Sequence, residues 1–160
     1  MNVVCGGPVS RIRAISDRYR EESAKTRSDD TREPLIGVNR YILVADTDAE
    51  AQEIGRKAWP AFHHNFIKLW RKHGTRPARD LPADFDRLME SGNAIAGSVK
   101  TVTQQFTAQL EDGGLNYLIG SFMFGDMPHS DAVASVRLFA KDVMPALRVL
   151  GQVPASVRSH

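Results

Sequence analysis

Strand-like runs alternate with helical runs along almost the whole chain. Apolar runs typical of strands lie at residues 2–5, 35–46 and 115–122, and the segments between them carry apolar residues at helical spacing. This alternation predicts an α/β fold, with a parallel sheet covered by helices. A complete α/β barrel needs eight strands and about 250 residues. The 160 residues of this chain therefore fit either a small sheet or part of a larger one.

The first two predicted helices begin at recognisable residues. One covers residues 9–24 and follows a Gly-Gly-Pro turn. The next begins after Thr47, which forms a capping box with Glu50, and runs to about residue 74. Pro60 lies inside it, so we expect a kink or a break there.

The second half of the chain is predicted to be mostly helical. A short helix at 82–91 leads to a connector at 92–97, and Ser98 begins a helix that ends at the Gly113-Gly114 pair. The last helix runs from residue 128 to about residue 150. The polar segments 25–34 and 75–81 are predicted to be loops.

Composition excludes several classes of function. The net charge of +2 predicts neither a nucleic acid nor a membrane as partner. No apolar run approaches the roughly 20 residues that span a bilayer. Cys5 is the single cysteine, so no intramolecular disulfide forms, which is typical of a reducing cytoplasm.

Three segments together resemble the C-terminal part of the bacterial luciferase-like flavin monooxygenases. They are "NRYILVADTDAEA" (39–51), "AIAGSVKTVTQQFTAQLEDGGLNYLI" (94–119) and "FGDMPHSDAVASVRLFAKDVMP" (124–145). The resemblance implies a partial (β/α)8 TIM barrel, about the last three βα units, with an extra helical excursion before the last strand. Residues 1–150 would form this part of the barrel and residues 151–160 a flexible tail.

The resemblance also implies a cofactor. Family members use reduced FMN, or deazaflavin F420 in one branch, and the resemblance implies that much of the flavin site lies on the first five strands, which are absent here. We therefore expect a fragment of a flavin-dependent monooxygenase that is inactive alone. The alternatives are an F420-dependent dehydrogenase of the same fold and a non-catalytic module that forms a homo-oligomer or complements an N-terminal half.

Asn39 and Tyr41 are the candidate flavin-binding residues of the second strand. They share one face because strand side chains alternate, and the resemblance places them among polar residues that line the barrel. Members that act on sulfonates have Arg and His there, so an anionic substrate is not indicated. The structural alternative is that Tyr41 is a buried strand aromatic.

The stretch "SFMFGDMPHSD" (121–131) forms the mouth of the last strand. Ser121 and Phe122 are predicted to face the flavin cavity, because barrel sites lie at the carboxyl ends of strands. Met123 and Phe124 are predicted to supply an apolar wall for the substrate. Core packing between the strand and its helix is the alternative.

Ser98 and Arg87 are further candidates. Ser98 begins a helix whose amide end is suited to a phosphate, although it also fits a simple N-cap. Arg87 lies in a segment that closes over the site in the family, where it would meet a phosphate or acidic group. A solvated surface position is the alternative for Arg87.

The histidines do not predict a metal site. His63 and His64 are adjacent, so on a helix they point about 100° apart, and no Cys or acidic residue stands at ligand spacing. His129 is a possible proton donor at the mouth of the last strand, or an exposed turn residue. No catalytic residue is predicted.

Overall fold

The computed structural model describes residues 2–26, 34–77 and 81–152. Four strands and six α-helices follow one another along them. They are β1 (Val3–Cys5), α1 (Val9–Thr26), β2 (Ile36–Val44), α2 (Asp48–Lys72), α3 (Phe85–Glu90), β3 (Ala94–Gly97), α4 (Val99–Gly113), β4 (Tyr117–Ser121), α5 (His129–Leu138) and α6 (Met144–Gln152), with a π-helical turn, Phe139–Val143, between α5 and α6. Parts of the predicted loops at 25–34 and 75–81, and most of the predicted tail, lie outside the described residues.

The sheet is parallel and is organised around β2. All three other strands pair with β2. Gly37 pairs with residues of both β1 and β4, and Tyr41 pairs with residues of both β3 and β4. A strand residue has one neighbour on each edge, so β4 occupies one edge while β1 and β3 share the other.

Helices cover both faces of this sheet. The Arg40 face, formed by the even-numbered residues of β2, packs against α1, α4 and the helical segment from Phe139 onwards. The Tyr41 face, formed by the odd-numbered residues, packs against α2 and α3. This arrangement follows from the strand order. The chain moves across the sheet from β1 to β2, returns from β2 to β3, and then crosses from β3 to β4. Right-handed crossovers place the connecting helices on opposite faces whenever this direction reverses.

The predicted α/β class with a parallel sheet is confirmed, and it is consistent with part of a TIM-barrel-like fold. The pairing of β4 with β2 differs from a barrel, in which successive strands are neighbours and the helices lie outside. In a closed barrel, the inner side chains of each strand pack against those of the strands on the opposite wall. Four strands provide no such opposite wall, and α2 and α3 bury the Tyr41 face instead.

Local signals placed the helix ends well. The Thr47 hydroxyl accepts a hydrogen bond from the Glu50 amide at 3.2 Å and caps α2. Ser98 caps α4 by accepting from the Thr101 amide. Gly114 ends α4 in the left-handed conformation, with φ of 59°.

One prediction about the elements was wrong, and one alternative of a second is excluded. The segment predicted as a connector contains β3, whose four residues are all buried. Of the kink or break predicted at Pro60, the break does not occur, since α2 continues from Asp48 to Lys72. Pro60 is exposed, so the missing hydrogen bond lies on the solvent side of the helix, where water can replace it.

None of the helices in the described part of the chain is both long enough and apolar enough to cross a bilayer.

Candidate functional site

Asn39, Tyr41 and Ser121 lie together on the Tyr41 face. Tyr41 is the register partner of Ser121, and the Ser121 hydroxyl donates a hydrogen bond to Asn39 Oδ1 at 3.3 Å. All three residues are half-buried. The structure thus brings together three of the residues predicted to bind the cofactor, and it leaves each of them partly exposed.

The ring of Tyr41 is surrounded by other aromatic rings. Its centroid lies 4.9 Å from that of Trp59, 5.3 Å from Phe62 and 5.8 Å from Phe124. Edge-to-face contacts at these distances are favourable beyond the area they bury. Trp59 is fully buried, and its Nε1–H donates to the Pro82 carbonyl at 2.8 Å. The space above the Tyr41 ring is therefore filled by the chain's own side chains.

Met123 and Phe124 differ in their environments. Phe124 is buried within the aromatic cluster, where its ring stacks against Phe85 at 6.0 Å. Met123 is 66% exposed, which is unusual for a large apolar side chain. Of the two residues predicted to form an apolar wall, Phe124 belongs to the core and Met123 lies at the surface.

Phe122 lies on the opposite face from Ser121. Its ring packs edge-to-face against Phe139 at 5.0 Å, in the core of the Arg40 face. Ser121, the last residue of β4, contacts Asn39, whereas Phe122 contacts Phe139 on the other face, so the two residues do not face one cavity together. In this structure Phe122 helps to seat the C-terminal helix.

Asp48 links the first turns of α2 and α4 at the carboxyl ends of β2 and β3. Its Oδ1 accepts from the Ser98 amide at 2.6 Å, and its Oδ2 accepts from the Thr101 hydroxyl at 2.9 Å. The hydrogen bond from the Ser98 amide is the main cause that holds the pKa of Asp48 below its ordinary value. The amide end at which a phosphate was predicted thus already carries a carboxylate.

The remaining candidates lie apart from this face. Arg87 and His129 are exposed, on α3 and in the first turn of α5. A ring nitrogen of His63 lies 3.0 Å from the Leu81 carbonyl oxygen, while His64 is exposed. Among residues 2–26, 34–77 and 81–152, no group of three or more His, Cys, Asp or Glu side chains is placed to hold a metal ion.

Cys5 is not a candidate nucleophile. The side chain is buried in the core beneath α1. Burial raises the pKa of its thiol, so the reactive thiolate is disfavoured.

Arg40 is the main residue that the sequence analysis did not single out. Its side chain is fully buried, and it donates from Nε to Gln109 Oε1 at 2.7 Å and from Nη2 to the Gly7 carbonyl at 3.0 Å. The guanidinium therefore joins β2 to α4 and to the turn before α1. A charged residue in the middle of the most apolar strand was the signal that could have identified it, since buried charges require partners.

The fold resembles part of the fold of solved monooxygenases. The crystal structure of monooxygenase RslO1 from Streptomyces bottropensis superposes with a TM-score of 0.70 at 20% identity, covering 91% of this chain and 42% of that one. At these identities the likeness concerns the fold. The resemblance predicted from the sequence is confirmed at that level.

Two further proteins extend this comparison. The oxygenating constituent of 3,6-diketocamphane monooxygenase from Pseudomonas putida, a type II Baeyer-Villiger enzyme solved in complex with FMN, has a TM-score of 0.67 at 21% identity over 89% of this chain. Protein y4wF of Sinorhizobium fredii, which is described as uncharacterized, is 29% identical over 143 residues. No family model matches the chain. The chain spans 42% of the length of each of these relatives.

Proposed function

We propose that the chain is part of a flavin-dependent monooxygenase that uses reduced FMN and O2 to oxygenate a small organic substrate. One oxygen atom enters the substrate, the other leaves as water, and the flavin supplies the two electrons. The observation that carries this proposal is the fold shared with an FMN-bound monooxygenase over 89% of the chain. That relative also favours FMN over F420 as the cofactor.

The residues of the Tyr41 face suit one edge of a flavin site. Asn39 and Ser121 offer an amide and a hydroxyl that match the N–H and C=O groups of a flavin ring, and Tyr41 and Phe124 provide an aromatic wall of the kind that lines such pockets. A phosphate at the Ser98 amide would have to displace the carboxylate of Asp48, and the exposed Arg87 and Met123 would face the substrate. In the complete enzyme β1, β2 and β4 would be the sixth, seventh and eighth strands of a (β/α)8 barrel.

The chain alone provides an incomplete site. The aromatic rings around Tyr41 leave no gap between them for a planar ligand, since Trp59, Phe62 and Phe124 lie within 5.8 Å of the Tyr41 ring, centroid to centroid. We expect the purified chain to bind FMN weakly or not at all. The single buried Cys5 is in keeping with a reducing cytoplasm as its location.

A non-catalytic module is the second candidate. β4 pairs with β2 on one edge and, within the described residues, with no strand on the other. Near this open edge Tyr117 is 41% exposed and Met123 is 66% exposed. An edge of this kind favours pairing with another chain, either a second copy or a polypeptide that carries the rest of a barrel.

FMN binding with and without the rest of a barrel tests both candidates. The chain is purified alone and also co-expressed with a polypeptide that carries the first strands of a related monooxygenase barrel. Flavin retained through gel filtration is then measured by fluorescence. We expect FMN to be retained only by the co-purified pair.

The other outcomes are informative in different ways. Tight one-to-one FMN binding by the chain alone would show that its site is complete. A stable co-purified pair without flavin, or a soluble dimer of the chain with two-state unfolding, would favour the non-catalytic module.

A further inference from the structure

The last two turns of α2 and the residues after them carry a concentrated positive charge. Residues 65–77 contain Lys68, Arg71, Lys72 and Arg76 and no acidic residue. All four side chains are exposed, and none forms an ion pair with another residue of the described part of the chain. The small net charge of the whole chain conceals this local excess.

An apolar side chain lies exposed among these cations. Leu69 is 63% exposed, whereas Ala51 is fully buried on the same helix. The two positions differ by 69 − 51 = 18 residues, which is five turns at about 3.6 residues per turn, so both lie on the side of α2 that packs on the sheet. Leu69 therefore lies on this side near the end of the helix, with most of its side chain in solvent.

A tryptophan lies beside this side chain. Trp70 is half-buried, and its ring centroid is 5.3 Å from that of Phe66. An indole with one part packed and another part exposed is typical of the boundary between apolar and aqueous regions of a membrane. The basic end of α2, by which we mean Lys68, Leu69, Trp70, Arg71, Lys72 and Arg76, thus combines cations with apolar and aromatic surface.

We propose that the basic end of α2 binds the surface of an anionic lipid bilayer. Lipid phosphates would pair with the cations, and Leu69 would enter the region between the headgroups and the acyl chains. Lysine and arginine suit this position because their long stems reach from apolar surface to charged headgroups. A nucleic acid would pair with the cations but would leave Leu69 in water, so we favour the bilayer.

The position of this surface leaves the candidate flavin site free. α2 begins at the carboxyl end of β2, where Asp48 contacts Ser98, and it leads back toward the amino ends of the parallel strands. The basic end of α2 is thus at the opposite end of the sheet from that contact. Binding there would hold the protein at a membrane without covering the candidate flavin site. Membrane binding would be a property separate from the proposed oxygenation.

Vesicle sedimentation tests the proposal with defined lipids. The full chain is mixed with vesicles of phosphatidylcholine alone or of phosphatidylcholine with phosphatidylglycerol. We expect it to sediment with the mixed vesicles only, and this binding to weaken as salt is raised. The emission of Trp70 should shift to shorter wavelength on binding, while the buried Trp59 contributes a constant background.

Charge-reversal variants locate the binding surface. The double variant Arg71→Glu with Lys72→Glu should lower partitioning at least about 25-fold, because each cation near an anionic surface contributes about five-fold. The matched control is Lys100→Glu with Lys141→Glu, which changes the net charge equally at exposed positions on α4 and on the π-helical turn. The single variant Leu69→Ser should also weaken binding to the mixed vesicles, but it should not alter the dependence of binding on salt.

Several results would overturn the proposal. These are equal binding to both kinds of vesicle, no binding to either, or an equal loss in the control variant. Binding of a single-stranded oligonucleotide that depends on Arg71 and Lys72, without vesicle binding, would assign the surface to nucleic acid instead. Circular dichroism of each variant establishes that a loss of binding does not come from unfolding.

Discussion

Gly125 lies directly on the backbone of α2, where a Cβ would stand 1.8 Å from the carbonyl oxygen of Ala58. Its φ is +64°, in the left-handed region of backbone conformation that residues other than glycine rarely adopt. The turn after β4 therefore requires glycine for two separate reasons. The close approach also explains how Phe124, the residue before it, reaches the aromatic cluster.

Gly125→Ala should destabilise the chain through both effects. The left-handed conformation costs a residue with a Cβ about 1–2 kcal/mol, and overpacking against α2 adds about 1–3 kcal/mol. Gly74→Ala is the matched control, because Gly74 has the same φ of +64° but no atom within 4 Å of its added Cβ. Urea unfolding should show the larger loss for Gly125→Ala. Equal losses would mean that α2 moves aside at no cost.

Asp48→Asn should weaken the link between α2 and α4. The pKa of Asp48 is lowered in the folded chain, chiefly by the hydrogen bond from the Ser98 amide. A lowered folded pKa means that this contribution is fully present above the ordinary value of 3.8 and is lost as pH falls through the folded value. Because Asp48 is exposed, we expect the effect to be modest.

Chemical unfolding as a function of pH measures this contribution. The difference in unfolding free energy between the wild type and Asp48→Asn should be constant near neutrality and should shrink in acid. Asp46→Asn is the control, since Asp46 is an exposed aspartate two residues before Asp48 and takes no part in the hydrogen bonds that join α2 to α4. A difference that does not depend on pH would show that Asp48 acts through its shape rather than its charge.

Signals that act within a few residues predicted the helices reliably. Thr47, Ser98 and Gly114 mark helix ends because each satisfies backbone groups of its own turn. Such contacts do not depend on the rest of the fold. The ends of α2 and α4 could therefore be predicted from the sequence to within about two residues.

β3 could not be recognised by the same means. Its sequence, Ala94–Gly97, is rich in alanine and glycine, which are uncommon in strands. All four of its residues are buried, because helices cover both faces, so no alternation of apolar and polar residues marks it. Gly92 and Gly97, which lie on either side of the apolar residues 94–96, were the one available signal.

The candidate site was predictable only in part, because its composition depends on long-range pairing. Alternation along β2 correctly placed Asn39 and Tyr41 on one face. Ser121 lies beside them only because β4 pairs with β2. The positions of Phe122 and Asp48 depend on how the C-terminal helix and α4 pack, which no local pattern records.

Arg40→Met should destabilise the chain more than the loss of any surface arginine. The substitution keeps most of the buried volume but leaves the Gly7 carbonyl and Gln109 Oε1 without the donors they now have. A fully buried acceptor without a partner costs about 1–3 kcal/mol, and these two are half-buried, so we expect a loss of about 2 kcal/mol in all. Thermal or urea unfolding measures it.

A second substitution separates the hydrogen bonds from packing. Gln109→Leu removes one of the acceptors. The loss of unfolding free energy that it causes should therefore be smaller in the Arg40→Met variant than in the wild type, by about 0.5–3 kcal/mol. Arg13→Met serves as the control, because Arg13 pairs with Asp17 at the surface and such pairs contribute about 0.2–1 kcal/mol. Strict additivity of the Arg40 and Gln109 substitutions would contradict the assigned contacts.

Ser121 and Phe122, although adjacent, should differ in what their substitution changes. Phe122 packs against Phe139 in the core of the Arg40 face, so Phe122→Ala should lower the unfolding free energy by up to about 3 kcal/mol, near the low end for aromatic truncation because the ring is half-buried. Ser121 contributes its hydroxyl to Asn39 at 3.3 Å, and Ser121→Ala should change stability by less than about 1 kcal/mol.

The order reverses for flavin affinity, measured by fluorescence titration in the co-purified pair. If the Tyr41 face forms part of the flavin site, Ser121→Ala should weaken FMN binding by about 5- to 10-fold, which is the equivalent of one hydrogen bond. Phe122→Ala should leave the FMN affinity of the folded fraction unchanged, because its ring points to the other face. Loss of FMN affinity in Phe122→Ala alone would place the flavin on the Arg40 face and would remove Asn39, Tyr41 and Ser121 from the site.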